Sequence, residues 1–216
     1  MLKIDKKSML LYVVTDRSWL GENSLVKQVE DALKAGATFV QLREKSLPFD
    51  EFLKEAKEIK NVTDKYKVPF VINDNVEIAR KINADGVHVG QEDMNAKNVR
   101  NIIGKNKILG VSAGTIEEAI TAERNGADYI GVGAVFSTST KEDVNVISMD
   151  TLKDICNSVS IPVVAIGGIN NTNVLNLKNS GVDGICVISA IFSKENIYNA
   201  TKKLHDLASE MVEYGV

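Results

Sequence analysis

Short runs rich in valine and isoleucine alternate with helix-length segments along almost all of the 216-residue chain. Apolar runs of about four to eight residues, bounded by turn residues, are typical of buried parallel strands, whereas apolar residues at helical spacing indicate amphipathic helices. The pattern predicts strands at residues 10–16, 39–45, 69–73, 86–90, 108–113, 129–136, 162–169 and 184–190. It predicts helices at residues 24–35, 48–62, 75–85, 95–103, 115–125, 149–159, 171–180 and 195–212.

Eight alternating β/α units in one domain close most economically into a (β/α)8 barrel, the TIM-barrel fold of the α/β class. A faint repeat supports this count, because AGATFV, NADGVHV, NGADYIGV and SGVDGICV each mark a helix giving way to a strand. A doubly wound open sheet is the alternative. Glycine-rich strand ends occur all along the chain rather than at one switch point, which favours the barrel. We therefore expect one barrel domain over residues 1–216.

Composition limits the classes of partner. The net charge of −3 and the lack of a basic cluster argue against nucleic acid binding. The start of the chain has no apolar run of signal-peptide length, and the uncharged run at 155–177 is interrupted by Pro162 and two glycines, so we expect no membrane association. Cys156 and Cys186 lack metal-site spacing, which is typical of a reduced, cytoplasmic protein. Small-molecule substrates are expected, and homo-oligomerisation stays open.

Two carboxylates follow neighbouring predicted strands. Asp74 comes directly after the third strand and Asp93 shortly after the fourth. Consecutive parallel strands end on the same rim, so these side chains should converge there and could hold a hard divalent cation. Each aspartate alone is more simply explained as the cap of the next helix or as part of a turn. Their shared position favours the metal site.

The second predicted strand carries two cations. If its alternation continues to the end, Gln41, Arg43 and Lys45 share one face, opposite Leu42 and Glu44. Burying two cations is costly unless an anion meets them, which favours an anionic ligand. The alternative is that Lys45 is solvated at the rim and Arg43 pairs with an acid across the barrel.

Two polar residues stand in the middle strands. Ser112 ends the fifth strand outside any Gly-x-Ser-x-Gly elbow, so it is not predicted to be a nucleophile, and it could simply satisfy backbone groups. His88 lies mid-strand in GVHVG, where a histidine is more often a hydrogen-bonded core residue than a ligand or a base.

Candidate phosphate-binding residues follow the last three strands. Hydroxyl groups stand beside an ammonium group after the sixth strand, at Thr138, Ser139, Thr140 and Lys141. Gly167 and Gly168 end the seventh strand, and Ile188 and Ser189 end the eighth. Barrels frequently bind phosphate with the loops after these two strands, and glycine lets an anion approach the backbone closely.

Together these motifs resemble thiamine phosphate synthases. The resemblance covers nearly all the strand ends, through YVVTD (12–16), VQLREK (40–45), IND (72–74), GVHVGQED (86–93), GVSAGT (110–115), GADYIGVGAVFSTSTK (126–141), VVAIGGI (163–169) and ISA (188–190). It implies Mg²⁺-dependent joining of hydroxymethylpyrimidine diphosphate to thiazole ethyl phosphate, with release of pyrophosphate. No protein nucleophile is needed for this reaction, which agrees with the lack of a convincing triad.

The resemblance also implies residue roles. The pyrimidine diphosphate would be bound by Gln41, Leu42, Arg43, Glu44, Lys45, Asn73, Ser112 and Lys141, with Arg43, Lys45, Ser112 and Lys141 catalytic. Mg²⁺ would be bound by Asp74 and Asp93. The thiazole phosphate would be bound by Thr138, Ser139, Thr140, Gly168, Ile188 and Ser189.

The chain departs from the family pattern in two places. The family commonly reads Ser-Ala-His-Thr after the fifth strand, and here Gly114 stands at the histidine position. The segment EDVNVIS after Lys141 also lacks the proline-rich run common in relatives. Two rival functions share the fold: a thiazole tautomerase, and a binding barrel without catalysis. The REK, IND, QED and TSTK motifs argue against the tautomerase, and Gly114 removes one candidate proton-shuttling histidine.

Overall fold

Eight parallel strands form a closed barrel in chain order in the computed structural model, which describes residues 4–21, 23–137 and 146–212. The strands are β1 (Leu11–Val14), β2 (Phe39–Leu42), β3 (Phe70–Asn73), β4 (Gly86–Val89), β5 (Ile108–Ala113), β6 (Tyr129–Val132), β7 (Val163–Ile166) and β8 (Gly184–Val187). The barrel closes where Tyr12 of β1 pairs with Cys186 of β8. The predicted (β/α)8 barrel is confirmed, and the open-sheet alternative is wrong.

Helices surround the barrel. They are α1 (Leu25–Lys34), α2 (Phe49–Tyr66), α3 (Val76–Lys81), α4 (Ala96–Ile103), α5 (Ile116–Arg124), α6 (Met149–Ser158), α7 (Ser189–Phe192) and α8 (Ile197–Val212). Short 3-10 helices lie at Lys6–Met9, Arg17–Trp19 and Val174–Leu177. Within the described ranges, none of the helices combines the length and the apolar character needed to cross a membrane.

The core has two parts, as strand alternation requires. Outward-facing side chains such as Val40, Leu42 and Ile72 pack against the helices. Inward-facing side chains, among them Tyr12 and Tyr129, fill the barrel. Because the interior is packed, a substrate has no room inside the barrel, and barrels of this kind bind substrates at the rim where the strands end.

Several strands end earlier than predicted. Strand β2 stops at Leu42, because the next amide, that of Arg43, donates to Thr15 Oγ1 at 3.1 Å. The prediction that Arg43 and Lys45 share a strand face with Gln41 is therefore wrong, and both residues belong to the rim loop. Strands β6, β7 and β8 also stop short of their predicted ends.

The helix predicted at 171–180 is wrong, since only a 3-10 turn forms there. Asparagine side chains bond the local backbone instead. Asn173 accepts from the Asn170 amide at 2.8 Å and donates to the Gly168 carbonyl at 2.9 Å, and Asn170 accepts from the Thr172 amide at 2.9 Å. Such bonds compete with helical hydrogen bonds, and they hold the loop after β7 in an open turn.

The faint sequence repeat has a structural counterpart. In each repeat, a polar side chain just before an even-numbered strand accepts an amide at the start of the preceding odd-numbered strand. These four strand staples are Thr38 Oγ1 with Leu11 N (2.9 Å), Asp85 Oδ2 with Phe70 N (2.9 Å), Asp128 Oδ2 with Leu109 N (2.8 Å) and Asp183 Oδ2 with Val163 N (2.9 Å). They lie at the end of the barrel opposite the polar rim, where polar side chains serve the stability of a barrel rather than its chemistry.

Candidate active site at the carboxyl rim of the barrel

Asp74 and Asp93 converge on the rim beyond β3 and β4. Neither aspartate is a helix cap, because Asn75 caps α3 through the Ile78 amide and Asn95 caps the start of α4. The capping explanation is therefore wrong for both. Asp93 instead accepts the Gly90 amide at 2.8 Å.

The Asp74 carboxylate lies in a crowded polar setting. Its Oδ2 accepts from Lys45 Nζ at 2.9 Å and from Asn73 Nδ2 at 2.5 Å. Burial raises the pKa of Asp74, and the neighbouring Asp93 carboxylate raises it further, against the lowering effect of Lys45. The backbone of Asp74 has φ of +59°, a left-handed conformation that aspartate and asparagine adopt more readily than other residues except glycine. Two carboxylates held this close favour a positive charge between them.

The donor set fits a hard divalent cation. The Lys45 ammonium already supplies positive charge to Asp74, which shows that the carboxylate attracts a cation. Among the residues described, no group of three or more histidine, cysteine, aspartate or glutamate side chains is placed to hold a metal. Magnesium suits such a site, because it commonly takes one or two carboxylates and completes its shell with water and substrate phosphates.

Residues 41–45, which include the REK motif, lie in different environments. Gln41 is buried inside the barrel and Leu42 is buried on the helix side of β2. Glu44 accepts from Arg17 at 3.2 Å, and burial, with help from nearby Glu55, raises the Glu44 pKa to about 7. The Arg43 side chain has no ion-pair partner within residues 4–21, 23–137 and 146–212. Arg43 and Lys45 therefore bring two cations to the rim, while Glu44 supports the loop through Arg17.

Ser112 faces a histidine rather than the backbone. Its Oγ lies 3.0 Å from His88 Nε2, and its carbonyl accepts from Gln91 Nε2 at 2.5 Å. The idea that the Ser112 hydroxyl merely satisfies backbone groups is therefore wrong. His88 is a buried, hydrogen-bonded residue, as predicted, and its burial lowers its pKa to about 4.

A cleft of about 460 Å³ opens between the loop after β7, helix α7 and helix α8. Gly168 and Ser189 line it, and Ile188 immediately precedes α7. Gly168 has φ of +67°, and a Cβ there would lie 2.4 Å from the Ser137 carbonyl oxygen, so only glycine fits. Lys194 and Lys203 also line this cleft, with no acidic partner in the part of the chain that the structure describes.

The sequence did not predict that Lys194 and Lys203 would line a cleft. Lys203 lies in an ordinary amphipathic helix, and nothing in its spacing distinguishes it from Lys202, which pairs with Asp206. Only the packing of α8 against the β7 loop brings Lys203 to the cleft. Thr138, Ser139, Thr140 and Lys141 lie outside the described residues, so their predicted roles stay predictions.

The closed barrel, with polar residues after its strands, has the architecture of the (β/α)8-barrel enzymes, which carry their active sites at the carboxyl ends of the strands. The family model described as thiamine monophosphate synthase matches residues 11–191, and the chain belongs to this family. Its reaction is therefore the synthesis of thiamine phosphate, a transferase reaction of thiamine biosynthesis that uses small-molecule substrates.

Individual relatives agree over nearly the whole chain. The thiamine-phosphate synthase of Clostridium tetani is 53% identical over 200 residues, which cover 93% of this chain and 96% of the relative. That of Clostridium acetobutylicum is 51% identical over 200 residues, covering 93% and 95%. The solved thiamine phosphate pyrophosphorylase from Pyrococcus furiosus superposes with a TM-score of 0.89 at 40% identity, covering 96% of this chain and 98% of that one.

Proposed function

We propose that the enzyme transfers the hydroxymethylpyrimidine group from its diphosphate to the nitrogen of thiazole ethyl phosphate, releasing pyrophosphate. The observation that carries this proposal is the convergence of Asp74, Asp93 and Lys45 on one rim. A leaving diphosphate needs that mixture of charges, because its oxygens can meet both a cation held by the carboxylates and the Lys45 ammonium that pairs with Asp74. Arg43, beside them in the rim loop, adds a guanidinium that matches a phosphate with two hydrogen bonds.

The proposed chemistry is electrostatic and positional. When bound by Asp74 and Asp93, Mg²⁺ would neutralise charge on the diphosphate. Arg43, Lys45 and Lys141 would stabilise the same charge as it grows on the departing pyrophosphate. Gln41, Asn73 and Ser112 complete the proposed pyrimidine side of the site. Leu42, buried on the helix side of β2, and Glu44, paired with Arg17, would take part only through their backbone. The pyrimidine amino group stabilises the cationic methylene left behind, and the thiazole nitrogen attacks it, so the chain's task is to align the two substrates.

The proposed thiazole phosphate site is the cleft beside β7 and β8. The backbone of Gly168, Ile188 and Ser189 would approach the phosphate closely, with Thr138, Ser139 and Thr140 adding hydroxyl groups. Lys194 and Lys203 extend this assignment, because their ammonium groups offer the cleft positive charge that its other lining residues lack. A monophosphate would therefore be held at a place separate from the diphosphate.

Lys203→Ala is expected to raise the KM for thiazole phosphate by roughly threefold to tenfold, the scale of one exposed charge-assisted contact. The KM for the pyrimidine diphosphate should stay within about twofold, since Lys203 lines the cleft beside β7 and β8 whereas the rim carboxylates follow β3 and β4. Steady-state kinetics with each substrate varied in turn measure both values. Lys202→Ala is the matched control, because Lys202 is the preceding residue on α8 and pairs with Asp206 instead. Equal effects of the two variants would contradict the assignment.

The overall reaction is tested by incubating the purified enzyme with both substrates and Mg²⁺ and following thiamine phosphate and pyrophosphate by mass spectrometry. Both products are expected, in equal amounts, and only when both substrates are present. Excess chelator should abolish turnover. Isomerisation of a thiazole phosphate alone would instead identify a tautomerase, and saturable binding without turnover would identify a binding barrel.

A further inference from the structure

Five side chains form one continuous hydrogen-bonded chain through the barrel interior. The successive distances are Gln41 Nε2 to Tyr12 Oη 2.5 Å, Tyr12 Oη to Tyr129 Oη 2.8 Å, Tyr129 Oη to His88 Nδ1 2.9 Å, and His88 Nε2 to Ser112 Oγ 3.0 Å. The first four residues are at most 8% exposed. We call this set the buried relay. It joins β1, β2, β4, β5 and β6, and both of its ends, Gln41 and Ser112, belong to the proposed pyrimidine side.

The relay has a direction that follows from counting protons. The Gln41 amide nitrogen can only donate, so the Tyr12 oxygen accepts and the single Tyr12 proton goes to Tyr129. Among the described residues, His88 Nδ1 is then the one acceptor left for the Tyr129 proton, and a ring nitrogen that accepts is unprotonated. A ring whose Nδ1 accepts a hydrogen bond is neutral and carries its one proton on Nε2. That proton points at Ser112 Oγ.

We propose that His88 is a positioning residue: held as the Nε2–H tautomer by the relay, it donates to Ser112 and leaves the Ser112 proton free for the bound substrate. Ser112 thereby becomes a hydrogen-bond donor of fixed direction, and the ligand atom that meets it must be an acceptor, such as a phosphate oxygen or a ring nitrogen. The inference rests on the proposed function in one respect, namely that Ser112 contacts the pyrimidine diphosphate.

Gly110 leaves the space that two side chains of the buried relay need. Gly110 is the β5 partner of both His88 on β4 and Tyr129 on β6. A Cβ at position 110 would lie 2.1 Å from Tyr129 Cζ and 2.5 Å from His88 Nδ1. Any other residue at position 110 would therefore displace the two atoms that meet at the centre of the relay. The absence of a side chain at position 110 therefore allows the hydrogen bond between Tyr129 and His88.

The tautomer can be measured without turnover. The chain has only two histidines, so ¹⁵N-histidine labelling of the His205→Gln variant leaves the single ring of His88. Long-range ¹H–¹⁵N correlation spectra are expected to show Nε2 protonated and Nδ1 unprotonated. Tyr129→Phe removes the donor to Nδ1 and should move the ring towards a mixture of tautomers. A proton on Nδ1 in the otherwise native protein would reverse the relay and overturn the proposal.

Kinetics test the consequence for Ser112. His88→Leu should lower kcat/KM for the pyrimidine diphosphate by about tenfold or more, the scale of one lost buried hydrogen bond, and leave the KM for thiazole phosphate unchanged. His88→Gln, whose amide can still donate to Ser112, should recover part of the loss. Tyr129→Phe should show a smaller fall of the same kind, and Tyr198→Phe, on an exposed part of α8, should show none.

Equal kinetics for His88→Leu and His88→Gln would mean that the donor is unimportant, and would overturn the positioning role. Tyr129→Phe serves the same purpose if His88→Leu fails to fold, since wild-type kinetics in that variant would also overturn it. Failure of the proposed function shows itself differently, as an absence of thiamine phosphate from the unmodified enzyme, whereas the tautomer measurement is independent of any substrate.

Discussion

Asp74→Asn is expected to reduce kcat by about a hundredfold or more, because it removes one of the two carboxylates proposed to hold Mg²⁺ against the leaving diphosphate. The substitution keeps the side-chain shape, and asparagine tolerates the positive φ of this position well. The measurement is turnover at saturating substrates over a range of Mg²⁺ concentrations. Isothermal calorimetry with Mg²⁺ and pyrophosphate gives a second, turnover-free comparison.

The same variant should lose no stability in the absence of metal. The raised pKa of Asp74 means that ionising this carboxylate costs more in the folded state than in the unfolded chain. The cost is present above the folded-state pKa and disappears as pH falls below the ordinary aspartate value. Urea unfolding in chelator should therefore give Asp74→Asn an equal or higher free energy of unfolding at neutral pH, with the difference vanishing in acid.

Asp206→Asn is the control for both measurements, because Asp206 lies on α8, pairs with Lys202 and is largely exposed. It should leave turnover unchanged. If Asp74→Asn kept near-native kcat at limiting Mg²⁺, the rim carboxylates would have no role in metal binding, and the proposed site would be wrong.

Asp128→Ala is expected to lower the free energy of unfolding by about 3–5 kcal/mol, the range for breaking a buried ion pair from one side. Asp128 is buried, accepts the Leu109 amide at 2.8 Å and pairs with Arg100 at 2.5 Å. The variant would leave the Leu109 amide without its acceptor and the Arg100 guanidinium without its carboxylate. The largely buried guanidinium would keep only backbone carbonyls such as that of Gly126. Urea denaturation followed by circular dichroism measures the change.

Asp31→Ala is the matched control, since Asp31 forms a surface pair with Lys27 on α1 and such pairs contribute at most about 1 kcal/mol. Asp128→Asn should fall between the two, because an amide oxygen can still accept the Leu109 amide. A loss below about 1 kcal/mol for Asp128→Ala would mean that Arg100 finds a full replacement, and that the strand staple at β5 contributes little.

The barrel itself was predictable because buried parallel strands and their covering helices leave two distinct periodicities in the sequence. The strand ends were less predictable. At β2 the predicted alternation of the strand was extended into REK, but Thr15 accepts the Arg43 amide, a bond that depends on how β1 and β2 lie side by side. The helix predicted after β7 was wrong for a related reason. The asparagine side chains there accept hydrogen bonds from nearby backbone amides, and these bonds replace helical ones.

The site was predictable where topology alone brings residues together. Asp74 and Asp93 follow neighbouring parallel strands, and chain order is enough to place them on one rim. The buried relay and the cleft lysine Lys203 were not accessible in this way. Tyr12, Tyr129 and His88 come from different strands, and their hydrogen bonds depend on side-chain orientation and on the space left by Gly110. No spacing along the chain records that geometry.

The four strand staples have a consequence for the order in which a growing chain folds. Their partners lie only 27, 15, 19 and 20 positions apart, so each can close as soon as its own short stretch of chain has been made, without the residues that follow it. Only the seam between β1 and β8 requires both ends of the protein. We expect the strand pairs to form one after another during synthesis, each joined by its staple before the next pair leaves the ribosome. Pairing of β8 with β1 then closes the open sheet into a barrel.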